Sequence, residues 1–209
     1  MNQITLSENV MVSDPCYPLD TWCQTKLSNV LPGKYNVDVD KTDLDGWGTR
    51  VSSITVVHED YENTGHWDWE QHSECGVDSG QCGIFCMTSY RNDEVSESIT
   101  SPESDFVIPF REDGDNWYIK MCKFTLGNES WGLYDTGVVS SSGIGDGLYP
   151  MEVMMDGDKI VGIKVEYLGN SDYDLLGEDE DEGDCCGVCG NDLEEDGTCD
   201  YCKDNNDQD

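Results

Sequence analysis

The stretch YPMEVMMDGDKIVGIKVEYL, residues 149–168, decides the fold class. Two runs of β-prone side chains, Tyr149 to Met155 and Ile160 to Leu168, flank Asp156-Gly157-Asp158, a composition suited to a tight hairpin turn. In the second run Val161, Ile163, Val165 and Tyr167 share one face, while Lys164 and Glu166 take the other. A period of two is the mark of a strand with one buried face. Working outward, Tyr35, Val37 and Val39 alternate with Asn36, Asp38 and Asp40. Val51 to His58 is a short β-branched run that follows the turn-like Asp45-Gly46-Trp47-Gly48. Phe106 to Arg111 and Trp117 to Phe124 flank Glu112-Asp113-Gly114-Asp115 and read as a further hairpin. One helix is expected, Leu19 to Val30, with Pro18 and Asp20 at its start and Pro32-Gly33 at its end. The pattern predicts a mainly β body over residues 1–169, an antiparallel sandwich or barrel with at most one or two short helices.

Charge is the compositional outlier, with 45 acidic against 11 basic side chains and a net charge of −34. Sixteen of the acids and a single Lys fall between Ser171 and Asp209, so the short tail carries nearly half of the net charge. Both parts repel phosphate, which argues against direct binding to nucleic acid or to an anionic membrane. The partners such a surface attracts are cations and basic proteins; solubility alone, or adaptation to high salt, would also give an acidic surface. The opening Met-Asn-Gln-Ile-Thr-Leu-Ser-Glu-Asn lacks the basic and apolar regions of a signal peptide. No run approaches the ~20 apolar residues of a membrane span. Eleven cysteines in such a context point to reduced thiols and metal, and to a cytoplasmic location.

Two cysteine pairs, Cys186-Gly-Val-Cys189 and Cys199-Asp-Tyr-Cys202, form the most specific chemical motif. Two such knuckles let one zinc ion collect four thiolates in tetrahedral geometry, so Cys186, Cys189, Cys199 and Cys202 are the expected ligands of a structural Zn2+. The divisions expected are an acidic linker over 170–184, a zinc-ribbon-like pair of knuckles over 185–203 and a disordered tail over 204–209. A module with so little core should be unfolded without its metal. Zinc ribbons that bind nucleic acid carry Lys and Arg around the knuckles. Here Asp184, Asp192, Glu194, Glu195, Asp196 and Asp200 surround them, which favours a protein-facing role.

Within the body, three segments have the composition of binding loops: Ser13 to Tyr17, Val77 to Gly83 and Ser140 to Gly147. Ordinary turns have the same composition, because Asp and Ser bond the backbone and Gly supplies positive φ. If the loops converge, Asp14, Asp78, Ser79, Gln81, Ser142 and Asp146 are the candidate ligand-binding residues. The three aspartates could then hold a hard cation or serve as acid and base. Cys82 would need a base for nucleophilic work, and only His58, His66 and His72 exist to supply one. A second metal set of His72, Cys75, Cys82 and Cys86 is conceivable from spacing. Trp67 and Trp69 are either a stacking platform or core.

The pairing of Val77-Asp78-Ser79-Gly80-Gln81 with Ser140-Ser-Ser-Gly-Ile-Gly-Asp-Gly-Leu-Tyr-Pro150 resembles an uncharacterised domain family of bacteria and their phages. In that family a DSGQ-type turn precedes an SSG-x-GDG-x-YP segment that leads into a closing hairpin. Ser13-Asp14-Pro15-Cys16-Tyr17 with Thr21-Trp22-Cys23 is similar to the opening of small phage proteins. The resemblance covers roughly residues 10–168 and implies an all-β body of phage origin. It marks Asp14, Asp78, Gly80, Gln81, Gly143, Asp146 and Gly147 as motif positions without giving them roles, and the zinc tail is an addition to it. The expected function is that of a phage-type accessory protein acting by binding in the host cytoplasm, with enzymatic activity left open. Its acidic surface would engage a basic, nucleic-acid-binding host protein. The alternatives are a small-ligand binder or metal-dependent hydrolase at Asp14, Asp78 and Asp146, and a virion or structural protein. Oligomeric state is left open by the sequence.

Overall fold

The computed structural model describes residues 2–61, 68–102 and 114–169. In chain order the elements are β1 (Gln3–Leu6), β2 (Val10–Ser13), β3 (Thr25–Leu27), β4 (Gly33–Asp43), β5 (Thr49–His58), β6 (Trp69–Val77) and β7 (Gln81–Cys86). Helices α1 (Asp93–Ser96) and α2 (Asp115–Thr125) follow, then β8 (Trp131–Tyr134), β9 (Gly137–Ser141), β10 (Gly147–Asp156) and β11 (Lys159–Glu166). The body is mainly β and consists of two antiparallel sheets with few helices. The larger sheet runs β1-β4-β5-β11-β10-β6 and the smaller β3-β2-β7-β9-β8.

The hairpin that opened the sequence reading is β10–β11, paired from Met151↔Val165 to Asp156↔Lys159 with one irregularity at Met154/Met155. Val161, Ile163, Val165 and Tyr167 are buried, whereas Lys164 reaches Glu152 at 3.5 Å and Glu166 at 3.0 Å. Tyr35 and Val37 of β4 are likewise buried while Asp38 and Asp40 face water. The two sheets meet through Thr5, whose amide donates to Asp135 O at 2.7 Å, and through the Ser140 and Tyr167 hydroxyls 3.3 Å apart.

Strand β7 is buried at every residue, because α2 covers the face of the smaller sheet that the larger sheet does not. Met11, Phe85, Tyr90, Trp117, Met121, Phe124, Tyr134 and Val139 form one cluster between α2 and this sheet. Each large apolar side chain so buried contributes about 1.5–3 kcal/mol. The contact is close. A Cβ at Gly132 would stand 2.0 Å from the Phe124 ring, so only glycine lets the helix down onto β8.

Two sequence expectations are corrected here. Trp117 to Phe124 is not a hairpin arm but the body of α2, whose buried Trp117, Met121 and Phe124 recur at i, i+4 and i+7. Its supposed partner, 106–111, lies outside the described residues. Leu19 to Val30 is not a helix. Asp20 and Asn29 take φ of 70° and 67°, which no right-handed helix accommodates, and Thr25–Leu27 pairs with β2 as a strand. Among the described residues no helix is long and apolar enough to cross a membrane. The acidic linker, the cysteine knuckles and the C-terminal tail lie outside the described residues.

Helix α2 has no side-chain cap of its own, since Gly114 occupies the N-cap position. Asp93 of α1 supplies one from outside, accepting from Gly114 N at 3.0 Å and Trp117 N at 2.9 Å. An N-terminal carboxylate also complements the helix dipole. Asp93→Ala should therefore lower the unfolding free energy by about 1 kcal/mol in a urea titration. Asp93→Asn should retain part of that loss.

Candidate functional site

Chain topology sets the position of the site. Strand β2 ends, β7 begins and β9 ends at one edge of the smaller sheet, because β7 runs antiparallel to both neighbours. The chain crosses between sheets there twice, at Asp78–Gly80 from β6 to β7 and at 142–146 from β9 to β10. The three loops singled out in the sequence consequently converge.

Asp14 is the centre of this convergence and is fully buried. Its Oδ1 accepts from Cys16 N at 2.7 Å and from Ser79 Oγ at 2.7 Å. Its Oδ2 accepts from Asp78 N at 2.9 Å and from Ser79 N at 2.7 Å. A carboxylate offers about four lone-pair positions, and all are taken. Asp14 is thus a staple between the end of β2 and the crossing turn, with no lone pair left for a cation or a substrate proton.

The remaining candidates surround that staple. Gly80, at φ 66° where a side chain would strain the turn, donates its amide to Asp146 Oδ1 at 3.0 Å and accepts from Ser142 N at 3.0 Å. The Ser142 hydroxyl donates to Gly145 O at 2.8 Å, and Tyr149 Oη donates to the same carbonyl at 2.7 Å. Gln81 is buried and receives the Thr125 hydroxyl at 2.9 Å, which ties the turn to α2. Asp78 and Asp146 point to solvent at the rim. Among the described residues no group of three or more His, Cys, Asp or Glu is placed to hold a metal ion.

Residues that the motifs did not mark fix the loop after Asp14. Tyr90 Oη lies 2.7 Å from Tyr17 O and 2.9 Å from Asp14 O, and receives Gln24 Nε2 at 3.0 Å. Arg91 Nη1 donates to Pro15 O and Cys16 O, both at 3.1 Å, while Nη2 pairs with Asp115 at 3.1 Å. Burial pushes the Tyr90 phenol well above its ordinary value. The adjacent Tyr90-Arg91, shortly after the apolar run of β7, carries no motif that would have marked it in the sequence.

Three thiols of the body, Cys16, Cys75 and Cys122, are held protonated by their surroundings. Burial, then the adjacent Asp14 carboxylate, push the Cys16 thiol far above its ordinary value. Cys82 is fully buried with its Sγ 3.5 Å from Cys75 Sγ. The hydrogen bond to Cys82, with burial, raises the Cys75 thiol well above its usual range. Thiols held protonated are poor nucleophiles. His58 packs edge-on against Tyr35 at 5.2 Å and His66 lies outside the described residues. The conceived set of His72, Cys75, Cys82 and Cys86 is not a cluster. His72 faces solvent, and Cys86 at the far end of β7 bonds Thr5 O at 3.3 Å and Ser7 N at 3.2 Å. Trp69 is half-buried and Trp67 lies outside the described residues.

Compared with protein-family models, with curated proteins and with solved structures, the chain matches none.

Removing the staple should be costly. Asp14→Ala leaves two turn amides, a third at Cys16 and the Ser79 hydroxyl without their acceptor, and should cost about 3 kcal/mol or more in urea unfolding. Asp14→Asn keeps one oxygen and should cost less. Asp146→Asn, at the exposed rim, should change the midpoint little.

Proposed function

We propose that this chain is a phage-type accessory protein that acts by binding, its acidic surface engaging a basic, nucleic-acid-binding protein of the host. The observation that carries this reading is the charge, 45 acids against 11 bases. Five of the ten cations of the body are paired with its own carboxylates: Lys26 with Asp20, Lys41 with Glu129, Lys159 with Glu8, Lys164 with Glu152 and Glu166, and Arg91 with Asp115. The net charge of −34 therefore dominates what a partner meets. A protein built to grip phosphates meets here the charge density of its usual ligand, which speeds encounter and selects against acidic competitors. The hydrogen bonding of Asp14 favours binding over a hydrolase built on the three aspartates, because its acceptor positions are already occupied.

In this reading the two sheets form a sandwich that carries the recognition surface, and residues 171–209 extend its negative charge. Cys186, Cys189, Cys199 and Cys202 would hold one structural zinc ion, a donor set of four thiolates that suits that metal. The resemblance of the Asp78 and Asp146 motifs to a phage domain family supports the proposed origin.

Capture of host proteins from lysate by the full chain and by a chain ending at Gly169 tests the reading. The partner should be basic and should be released steeply as salt rises, since exposed charge pairs are screened beyond roughly 8 Å at physiological ionic strength. Capture that ignores salt would sink the electrostatic reading. Elemental analysis of purified protein should find one zinc per chain, lost in Cys186→Ser and Cys199→Ser. The urea midpoint of the β body should not move with that loss.

A further inference from the structure

The end of the molecule where the crossings meet also gathers exposed apolar side chains. Trp22 is 86% exposed, Leu148 57%, Leu19 51% and Ile144 47%. The backbone brings the turn that carries Trp22 and the start of β10 that carries Leu148 to the same residue, Gly76. Gly76 donates its amide to Cys23 O at 3.1 Å and pairs with Leu148 across β6–β10. A Cβ at Gly76 would lie 2.6 Å from Cys23 Cβ and 3.5 Å from Leu148 Cδ2, so both side chains crowd the same strip. Trp22 precedes Cys23 directly, and Ile144 belongs to the loop whose Asp146 binds the Gly80 amide. Exposed carboxylates at Glu74, Asp78 and Asp146 border the strip. The base nearest in sequence to Trp22, Lys26, is already held by Asp20.

The backbone turn that carries Trp22 is fixed. It is closed by Gln24 N to Thr21 O at 3.2 Å, Thr21 N to Gln24 Oε1 at 3.1 Å and the Thr21 hydroxyl to Pro18 O at 2.8 Å. Gln24 is in turn tied to Tyr90 and Ser13. An aromatic side chain has few rotatable bonds, and on a fixed turn it loses little entropy on binding. Its indole face attracts a guanidinium, the acids bond that same group, and the aliphatic neighbours cover its stem. A second copy of this chain would bring another 34 negative charges against the same acids.

We propose that Trp22, Leu148 and Ile144, with Asp78 and Asp146, form the docking surface for an arginine-bearing segment of the basic partner. This rests on the binding function proposed above and locates it.

The probe is a short fluorescent peptide of alternating arginine and glycine, titrated into the full chain at low salt and read by anisotropy. A lysine–glycine peptide and the double variant Glu59→Gln/Asp158→Asn, at the opposite end of the larger sheet, are the controls. Trp22→Ala should weaken the arginine peptide about tenfold, and Asp78→Asn/Asp146→Asn several-fold. The control variant should bind as the unaltered chain does, and the lysine peptide should bind more weakly throughout. Unchanged urea midpoints establish that the variants are folded. Equal weakening in the control and rim variants would overturn the docking surface while leaving a basic partner in place. Failure of both peptides to bind would overturn the two readings together. A concentration-dependent dimer that Trp22→Ala abolishes would replace the arginine segment with a second copy.

Discussion

A buried carboxylate holds together the end of the molecule on which its functional reading depends. Asp14 binds the turn at which the chain leaves one sheet for the other, and it does so with both oxygens. Backbone amides at such a crossing have no strand partner, and burying them unpaired would be costly. One side chain at the end of β2 removes that cost and fixes where β7 begins. The second crossing is then hung from the same turn through Gly80 and Asp146. Motif residues with the composition of a binding site thus do much of the work of an internal joint.

The same joint positions β7, the central strand of the smaller sheet, which is buried on both faces. With β7 positioned, its Phe85 packs at 5.0 Å from Trp117 and its Gln81 receives the Thr125 hydroxyl of α2. The helix is seated by apolar burial and oriented by polar contacts at its two ends, Asp93 at the start and Thr125 at the last turn. Neither interaction would be sufficient alone. Apolar packing has no direction, and isolated polar contacts at a helix end are worth only about 1 kcal/mol.

Strand pairing was legible where one face of the sheet meets water. In β4 and the second half of β11 the less buried Asn36, Asp38, Lys164 and Glu166 each follow a buried residue, so period two survives in the sequence there. It was illegible where both faces are covered, as in β7, whose six residues are all buried. The helix α2 was misread because Glu112-Asp113-Gly114-Asp115 looks like a hairpin turn and Tyr118 and Ile119 blur the spacing of Trp117, Met121 and Phe124. Positive φ at Asp20 and Asn29, which breaks the expected helix before Pro32, leaves no trace in residue type beyond the tolerance of Asp and Asn for that region. The convergence of Asp14, Asp78 and Asp146 was anticipated as a condition. Its chemical meaning was not, because nothing in the sequence tells a free carboxylate from one whose lone pairs are all engaged.

Arg91 joins the loop that presents Trp22 to the helix that backs the smaller sheet. Its guanidinium grips Pro15 and Cys16 carbonyls on one side and Asp115 on the other. Loop and helix are thereby geared together across nearly a hundred residues of chain. Displacing the Pro15–Cys16 backbone would therefore either break the Arg91 contacts or carry the first turn of α2 with it.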